Sequence, residues 1–161
     1  MGTLRTNMRQ AWWLLLLAVA AAAPARADAP TPAGRWLVQD QRAVIEVYAC
    51  GAQFCGRIVW QLQPLDADGT VTLDRHNPDP ALRGHPLCDL QMMAGFTAVP
   101  GSPGEWQNGS IYDPESGSTY SASLRLKDAN TLYLRGYIMI SLLGQTQTWT
   151  RDSVHPDCGK G

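Results

Sequence analysis

The 161-residue chain has no apolar run long enough to cross a bilayer, no catalytic signature and no excess of positive charge. A membrane-spanning helix needs about 20 consecutive apolar residues. The longest run here, Trp12 to Ala23, is cut off at Pro24, which argues against stable membrane insertion. There is no Gly-x-Ser-x-Gly elbow, no phosphate-binding loop and no His-Glu-x-x-His pair, so esterase, nucleotide and zinc-protease chemistries have no anchor. No cofactor is implied, and the chain reads as a binding protein rather than an enzyme. Charge is nearly balanced, 13 Lys and Arg against 14 Asp and Glu.

The short apolar run has its own meaning. Arg5 and Arg9 precede it and Ala25-Arg26-Ala27 follows it, the order of an export signal with a small-x-small cleavage site. Residues 1–27 are therefore expected to be a signal peptide cleaved near Ala27, and residues 28–161 a single domain, periplasmic or secreted. No Cys follows the cleavage site, so no lipid anchor is implied. Removing the signal takes away Arg5, Arg9 and Arg26 and leaves 10 basic residues against 14 acidic. A net negative domain is a poor partner for nucleic acid or an anionic membrane surface.

All four cysteines, Cys50, Cys55, Cys88 and Cys158, fall in the exported part, where disulfides persist. Cys50 and Cys55 flank a short Gly-containing turn that would set them opposite each other on two strands, at bridging distance. That leaves Cys88 for Cys158, a bond that would pin the C-terminal tail to the middle of the chain. A metal site built on the Cys-x4-Cys pair lacks the usual spacing and a second ligand pair.

Eight segments carry strand patterns. The first three, 35–40, 42–48 and 54–62, are joined by short turns and read as an antiparallel meander, with Ile58, Trp60 and Leu62 on one face of the third. Residues 63–86 then turn polar and Pro-rich, with Asn77-Pro78-Asp79-Pro80 followed by Gly84-His85-Pro86. Prolines so spaced cannot sit in a sheet ladder, so this is an excursion, with one helical turn expected near Ala81-Leu82-Arg83. Long ordered excursions are often functional, which makes this one a candidate lid over a cavity mouth. Strands resume at 87–96, 106–113, 119–126, 131–140 and 145–151, separated by Gly, Asn and Asp hairpin loops. Eight antiparallel strands with almost no helix are expected to close into an up-and-down barrel, the size at which one small ligand just fits inside.

The ends of that barrel carry a signature. Gly34-x-Trp36 on the first strand, with Arg151 closing the last, resembles the Gly-x-Trp and closing Arg of the lipocalin/calycin superfamily, in which the Arg packs over the Trp at the closed end. A wider set of motifs covers nearly all of the exported part. It comprises Gly34-Arg35-Trp36, Cys55 to Trp60, Asn77 to Pro80, Leu82-Arg83, Ile111 to Pro114, Gly117-x-Thr119-Tyr120, Arg135-Gly136-Tyr137 and Thr146 to Arg151. Together these resemble the bacterial exported family called domain of unknown function 2147, which is similar to lipocalins in fold. The resemblance implies fold and export and carries no reaction.

Candidate chemistry is sparse. His76 and His85 flank the excursion but lack a third metal ligand at useful spacing. Asp66-x-Asp68-Gly69 has only half the acidic ligands of a calcium loop and is better read as a turn. Asp113 and Glu115 could serve a hydrolase, a remote alternative, but they sit where a wet hairpin turn is needed. What remains is the barrel interior. Alternation places Tyr120, Ala122, Leu124 and Leu126, and Leu132, Leu134, Gly136 and Ile138, on inner faces, and the small residues Ala122, Gly136 and Gly109 are expected to leave room. The expected ligand-binding set, at the interior or the mouth, is Ile58, Trp60, Met92, Tyr120, Leu124, Leu134, Gly136 and Arg135. The expected ligand is a small apolar or amphipathic molecule with one polar end, which Arg57, Arg125 or Arg135 would meet if it is acidic. The alternative is a cell-envelope interaction module that uses Tyr112, Tyr133 and Tyr137 on the outer face to dock a partner or a second copy of itself as a homodimer.

Overall fold

Hydrophobic alternation with period two writes the chain into strands, and the computed structural model describes residue 2 and residues 29–138 and 144–158. Most of the expected signal peptide and the expected ends of the last hairpin, Met139-Ile140 and Leu142-Leu143, lie outside the described residues. The strands are β1 (Gly34–Leu37), β2 (Ala43–Cys50), β3 (Gln53–Gln61), β4 (Gln91–Ala98), β5 (Glu105–Asp113), β6 (Ser118–Asp128), β7 (Thr131–Tyr137) and β8 (Gln145–Arg151). A single 3-10 turn, Pro80–Leu82, interrupts the excursion between β3 and β4, capped by the Asp79 carboxylate on the Ala81 amide.

Each strand pairs antiparallel with the next, and β1 pairs with β8 through Trp36 with Arg151 and Leu37 with Thr150. The expected eight-stranded closed barrel is therefore the fold. Closure removes both edges of this sheet, so none of the eight described strands is left as an open template for pairing.

The closed end is built around Gly34, Trp36 and Arg151. Trp36 is fully buried and donates its indole N–H to the Pro32 carbonyl at 2.8 Å. The Arg151 guanidinium lies 3.8 Å from the centre of the Trp36 ring, donates to the Ala33 carbonyl at 2.8 Å and bonds the Ala129 carbonyl through two nitrogens. One cation thus ties the entry to β1 to the β6–β7 turn. Gly34 has φ 127°, and a Cβ there would overlap the guanidinium, so the position needs glycine twice over.

Above this plug lies a continuous core of Trp36, Ile45, Val47, Ile58, Met93, Phe96, Trp106, Ala122, Leu124, Leu132, Leu134 and Trp149. Here two of the small residues expected to leave space do the opposite. Gly109 receives the Phe96 ring where its own Cβ would stand, and Ala122, its cross-strand partner, is fully buried in the core. A bulge between Trp106 and Gly109, with Asn108 at φ 61°, brings the glycine under the ring.

A second bulge corrects the reading of β3. Val44 pairs with Trp60 and Ile45 with Ile58, so Val59 is an extra residue. The extra residue breaks strict alternation. Ile58 faces inward with Ile45, and Trp60 is turned to the outer face with Val44. There Trp60 stacks on His155, ring centres 4.0 Å apart.

His155 belongs to a C-terminal tail, residues 152–158, laid along the outside of β1 to β3. Arg35 holds it by ion pairs to Asp152 and Asp157 and a bond to the His155 carbonyl. His155 in turn bonds Asp152 at 2.6 Å. Burial pushes the Asp152 pKa up, but the hydrogen bonds from His155 and Arg35 outweigh it and hold the carboxyl below the ordinary range. The tail then donates the Cys158 amide to the Val59 carbonyl. Cys50 and Cys55 form the expected disulfide. Cys88 and Cys158 meet as expected but are free thiols, and burial followed by a hydrogen bond to Cys88 pushes the Cys158 pKa up to about 12.

A cavity at the open end of the barrel

Opposite the plug, the β1–β2 turn, the β5–β6 hairpin, the end of β7 and the start of β8 border an opening, and beneath it lies a cavity of about 540 Å³. Its floor is the top of the core: Ile45, Ile58, Leu134 and Trp149 belong to both. Its walls are Val38, Ala43, Met92, Ile111, Tyr120 and Gly136, and its rim carries Asp40, Arg42, Asp113, Glu115, Tyr137 and Ile138.

Several of the expected residues come together here, namely Ile58, Met92, Tyr120, Leu134 and Gly136. Gly136 is the small residue that makes room, since a Cβ there would find its nearest neighbour, Ile111, 4.0 Å away. Three others are elsewhere. Leu124 is buried in the packed half of the interior, beside Trp106. Trp60 is outside, for the reason given by the bulge. Arg135, expected at the mouth, is on the outer face because its neighbours Leu134 and Gly136 face in, and it donates to Thr146 of β8 at 3.0 Å. Arg57 and Arg125 are outside as well. Arg57 pairs with Glu46 at 2.8 Å and with Asp89, and Arg125 lies over the Tyr133 ring.

Sequence reasoning missed the inner face of β8. Gln145 and Gln147 line the cavity above Trp149, and the Trp149 indole donates to Gln147 Oε1 at 2.8 Å. Counting back by twos from Arg151 gives Trp149, Gln147 and Gln145, a signal present in the sequence but hidden by the polarity of the glutamines. The indole N–H is a donor only, so it fixes the carboxamide with its oxygen toward Trp149 and its two N–H groups available to the cavity.

At the rim, Arg42 and Glu115 form an ion pair at 2.6 Å between the β1–β2 turn and the β5–β6 hairpin. Both side chains are exposed, so the pair contributes little to stability. Asp113 accepts from the Glu115 amide and the Ser116 hydroxyl, as turn chemistry requires.

The excursion is not a lid, since none of residues 63–90 lines the cavity. It is fastened beside the opening by a buried carboxylate. Asp74, fully buried, accepts from the Tyr112 hydroxyl at 2.6 Å and from the Asn77 side-chain amide at 2.7 Å. Desolvation, then the bond to Asp74 and its charge, push the Tyr112 pKa from 10.0 to about 12. Tyr112, expected on a free docking face, therefore spends its hydroxyl inside the fold. Gly117 lies against the His76 carbonyl, and the His76 ring bonds the Pro114 carbonyl at 3.3 Å. Among the described residues, no group of three His, Cys, Asp or Glu side chains could hold a metal ion, and no helix is long and apolar enough to cross a membrane.

Comparison with known proteins agrees with this geometry. Residues 34–151 match the family described as uncharacterized proteins conserved in bacteria, DUF2147. No curated protein matches the chain. Among solved structures, the chain is similar to protein HP1028 from Helicobacter pylori, described as belonging to the lipocalin family. The TM-score is 0.65 at 20% identity, covering 76% of this chain and 83% of that one. That likeness supports the lipocalin-like fold.

Proposed function

The chain belongs to the bacterial DUF2147 family, and from that premise we propose that it is an exported carrier which holds one small apolar or amphipathic molecule in the open end of its barrel. The observation that carries this reading is the hollow itself, about 540 Å³ with mostly apolar walls, within the range of small-molecule sites, about 300–1,000 Å³. A liquid allots each water roughly 30 Å³, so the space holds on the order of fifteen non-hydrogen atoms. Ile58, Met92, Ile111 and Leu134 would contact the chain of the ligand, and Tyr120, Gln145 and Gln147 its polar atoms. No catalytic role is assigned to any of them.

Export supports the same reading. The basic start, short apolar run and Ala25-Arg26-Ala27 site fit removal of residues 1–27, and the Cys50–Cys55 disulfide fits an oxidising compartment. We place the mature domain, residues 28–161, in the periplasm or outside the cell.

The test uses an environment-sensitive apolar fluorophore, N-phenyl-1-naphthylamine. The mature protein is expected to enhance its emission with saturation at one equivalent. Gly136→Leu fills the room above Ile111 without a close backbone contact, so it is expected to fold normally and lose that saturable signal. A wild-type protein that gives no saturable signal, or a Gly136→Leu protein that keeps all of it, would sink the proposal.

A further inference from the structure

Resting on that reading, we infer that the cavity selects its ligand by charge, taking an uncharged or cationic amphiphile and rejecting the matching carboxylate. The argument begins with what stands at the opening. Four charged side chains line it, Asp40, Arg42, Asp113 and Glu115, three carboxylates against one guanidinium. Arg42 is already matched to Glu115 at 2.6 Å. Among the described residues, the Asp40 and Asp113 carboxylates accept hydrogen bonds from their own turns, from the Arg42 amide and from the Glu115 amide and Ser116 hydroxyl. Those bonds leave both charges in place. Residues 139–143 carry no charge.

Among the described residues, Arg42 is the only Lys or Arg that lines the cavity, and the His76 ring beside the rim is bonded to the Pro114 carbonyl. Arg35 is committed to Asp152 and Asp157, Arg57 to Glu46, Arg75 to Asp66, Arg83 to the Asn77 carbonyl and Arg151 to the plug at the far end. Arg125 and Arg135 lie on the outer face with Tyr133 and Thr146. A carboxylate head at this rim would shed part of its hydration and meet net negative charge, an uncompensated cost. A hydroxyl loses little there, and an ammonium gains Asp40 and Asp113.

Deeper in, the wall offers neutral donors. The Gln147 amide, oriented by Trp149, presents N–H groups, so an ester, ether or hydroxyl oxygen along the ligand has a partner that asks for no charge.

The experiment displaces N-phenyl-1-naphthylamine from the mature protein with three ten-carbon competitors, decanoate, 1-decanol and decyltrimethylammonium, each below its micelle concentration at low salt. Decyltrimethylammonium and decanol are expected to bind at least roughly tenfold more tightly than decanoate, from charges a few ångströms apart at a partly shielded rim. Arg42→Gln, which removes the lining cation, should widen the gap between the ammonium and the carboxylate. Asp40→Asn combined with Asp113→Asn should narrow it. Because loss of the Asp113 turn bonds could unfold the double variant, the Arg42→Gln result stands as an independent arm with the opposite sign. Decanoate binding as tightly as decanol, or an Arg42→Gln protein with a smaller gap, overturns the inference even when the fluorophore binds normally. Failure of the fluorophore and all three competitors to bind overturns the carrier reading beneath it.

Discussion

The two ends of this barrel solve the same problem in opposite ways. At the closed end Trp36, Phe96, Trp106, Leu124, Leu132 and Trp149 fill the interior, and Arg151 seals it with bonds to main-chain carbonyls. At the open end the interior is left empty, and polar ties stand at and beside its rim: Arg42 with Glu115, and Asp74 with Tyr112 and Asn77. The difference teaches where stability and function are kept apart. On the proposed carrier reading, apolar packing is strongest at the end where no ligand would enter, and the rim of the hollow is held by hydrogen bonds and an ion pair. A well-packed interior tolerates no gap of this size without loss, so the closed half must carry the stability of the whole.

The largest expected effect tests that division directly. Trp36→Ala at the closed end should destabilise the protein by about 3–5 kcal/mol, whereas Met92→Ala on the cavity wall should cost only about 1 kcal/mol, because its side chain already borders empty space. Urea denaturation of the two variants measures both, and similar losses would erase the contrast.

A smaller effect is expected at Gly34. A Cβ forced to φ 127° into the Arg151 guanidinium makes Gly34→Ala cost about 2–3 kcal/mol, visible as a lower urea midpoint, while saturable fluorophore binding at the other end is retained by the folded fraction. Loss of binding by a protein that remains folded would mean that the two ends are coupled.

The smallest concerns the polar side of the contrast. Tyr112→Phe removes a hydrogen bond to a buried carboxylate and should cost about 1.5–2 kcal/mol at neutral pH. The sign of its pH dependence follows from the raised pKa. Because the folded state holds the Tyr112 proton to about 12 against 10.0 for a free tyrosine, the stabilisation is fully present below pH 10 and fades as pH rises through about 12. The difference in stability between wild type and Tyr112→Phe should therefore be flat up to pH 10 and shrink above it. A difference that is constant through that window would show that the hydroxyl is not what Asp74 holds.

Strand count and barrel closure were legible because they rest on local alternation and on hairpin turns, and because Gly34, Trp36 and Arg151 mark the ends that must meet; limits were less so, since the first strand, expected over 35–40, stops at Leu37 and the fourth, expected from 87, starts at Gln91. Alternation failed where a residue was inserted. The extra Val59 turned Trp60 outward, and nothing in the local sequence distinguishes a bulged valine from a paired one. Arg135 differs, since the alternation of its own strand, with Leu134 and Gly136 facing in, already places it outside. Gly109 looked like space and proved to be the seat of Phe96, a residue two strands' worth of sequence could not position. The glutamines of β8 carry no apolar signal for an inner face, whereas a cavity open at one end lets polar side chains face inward and stay wet.

By itself the sequence determined what depends on neighbours along the chain: eight strands of period two, an excursion that prolines keep out of the sheet, and cysteines close enough to bridge across one turn. Only the tertiary structure decided which half of the interior is full and which is hollow. That outcome depends on how side chains from different strands fill a common volume: the Phe96 ring of β4 sits over Gly109 of β5 at one level, and at another the nearest described neighbour of Gly136 is Ile111, 4.0 Å from where a Cβ would stand. Volume is a property of the closed barrel and of no single strand.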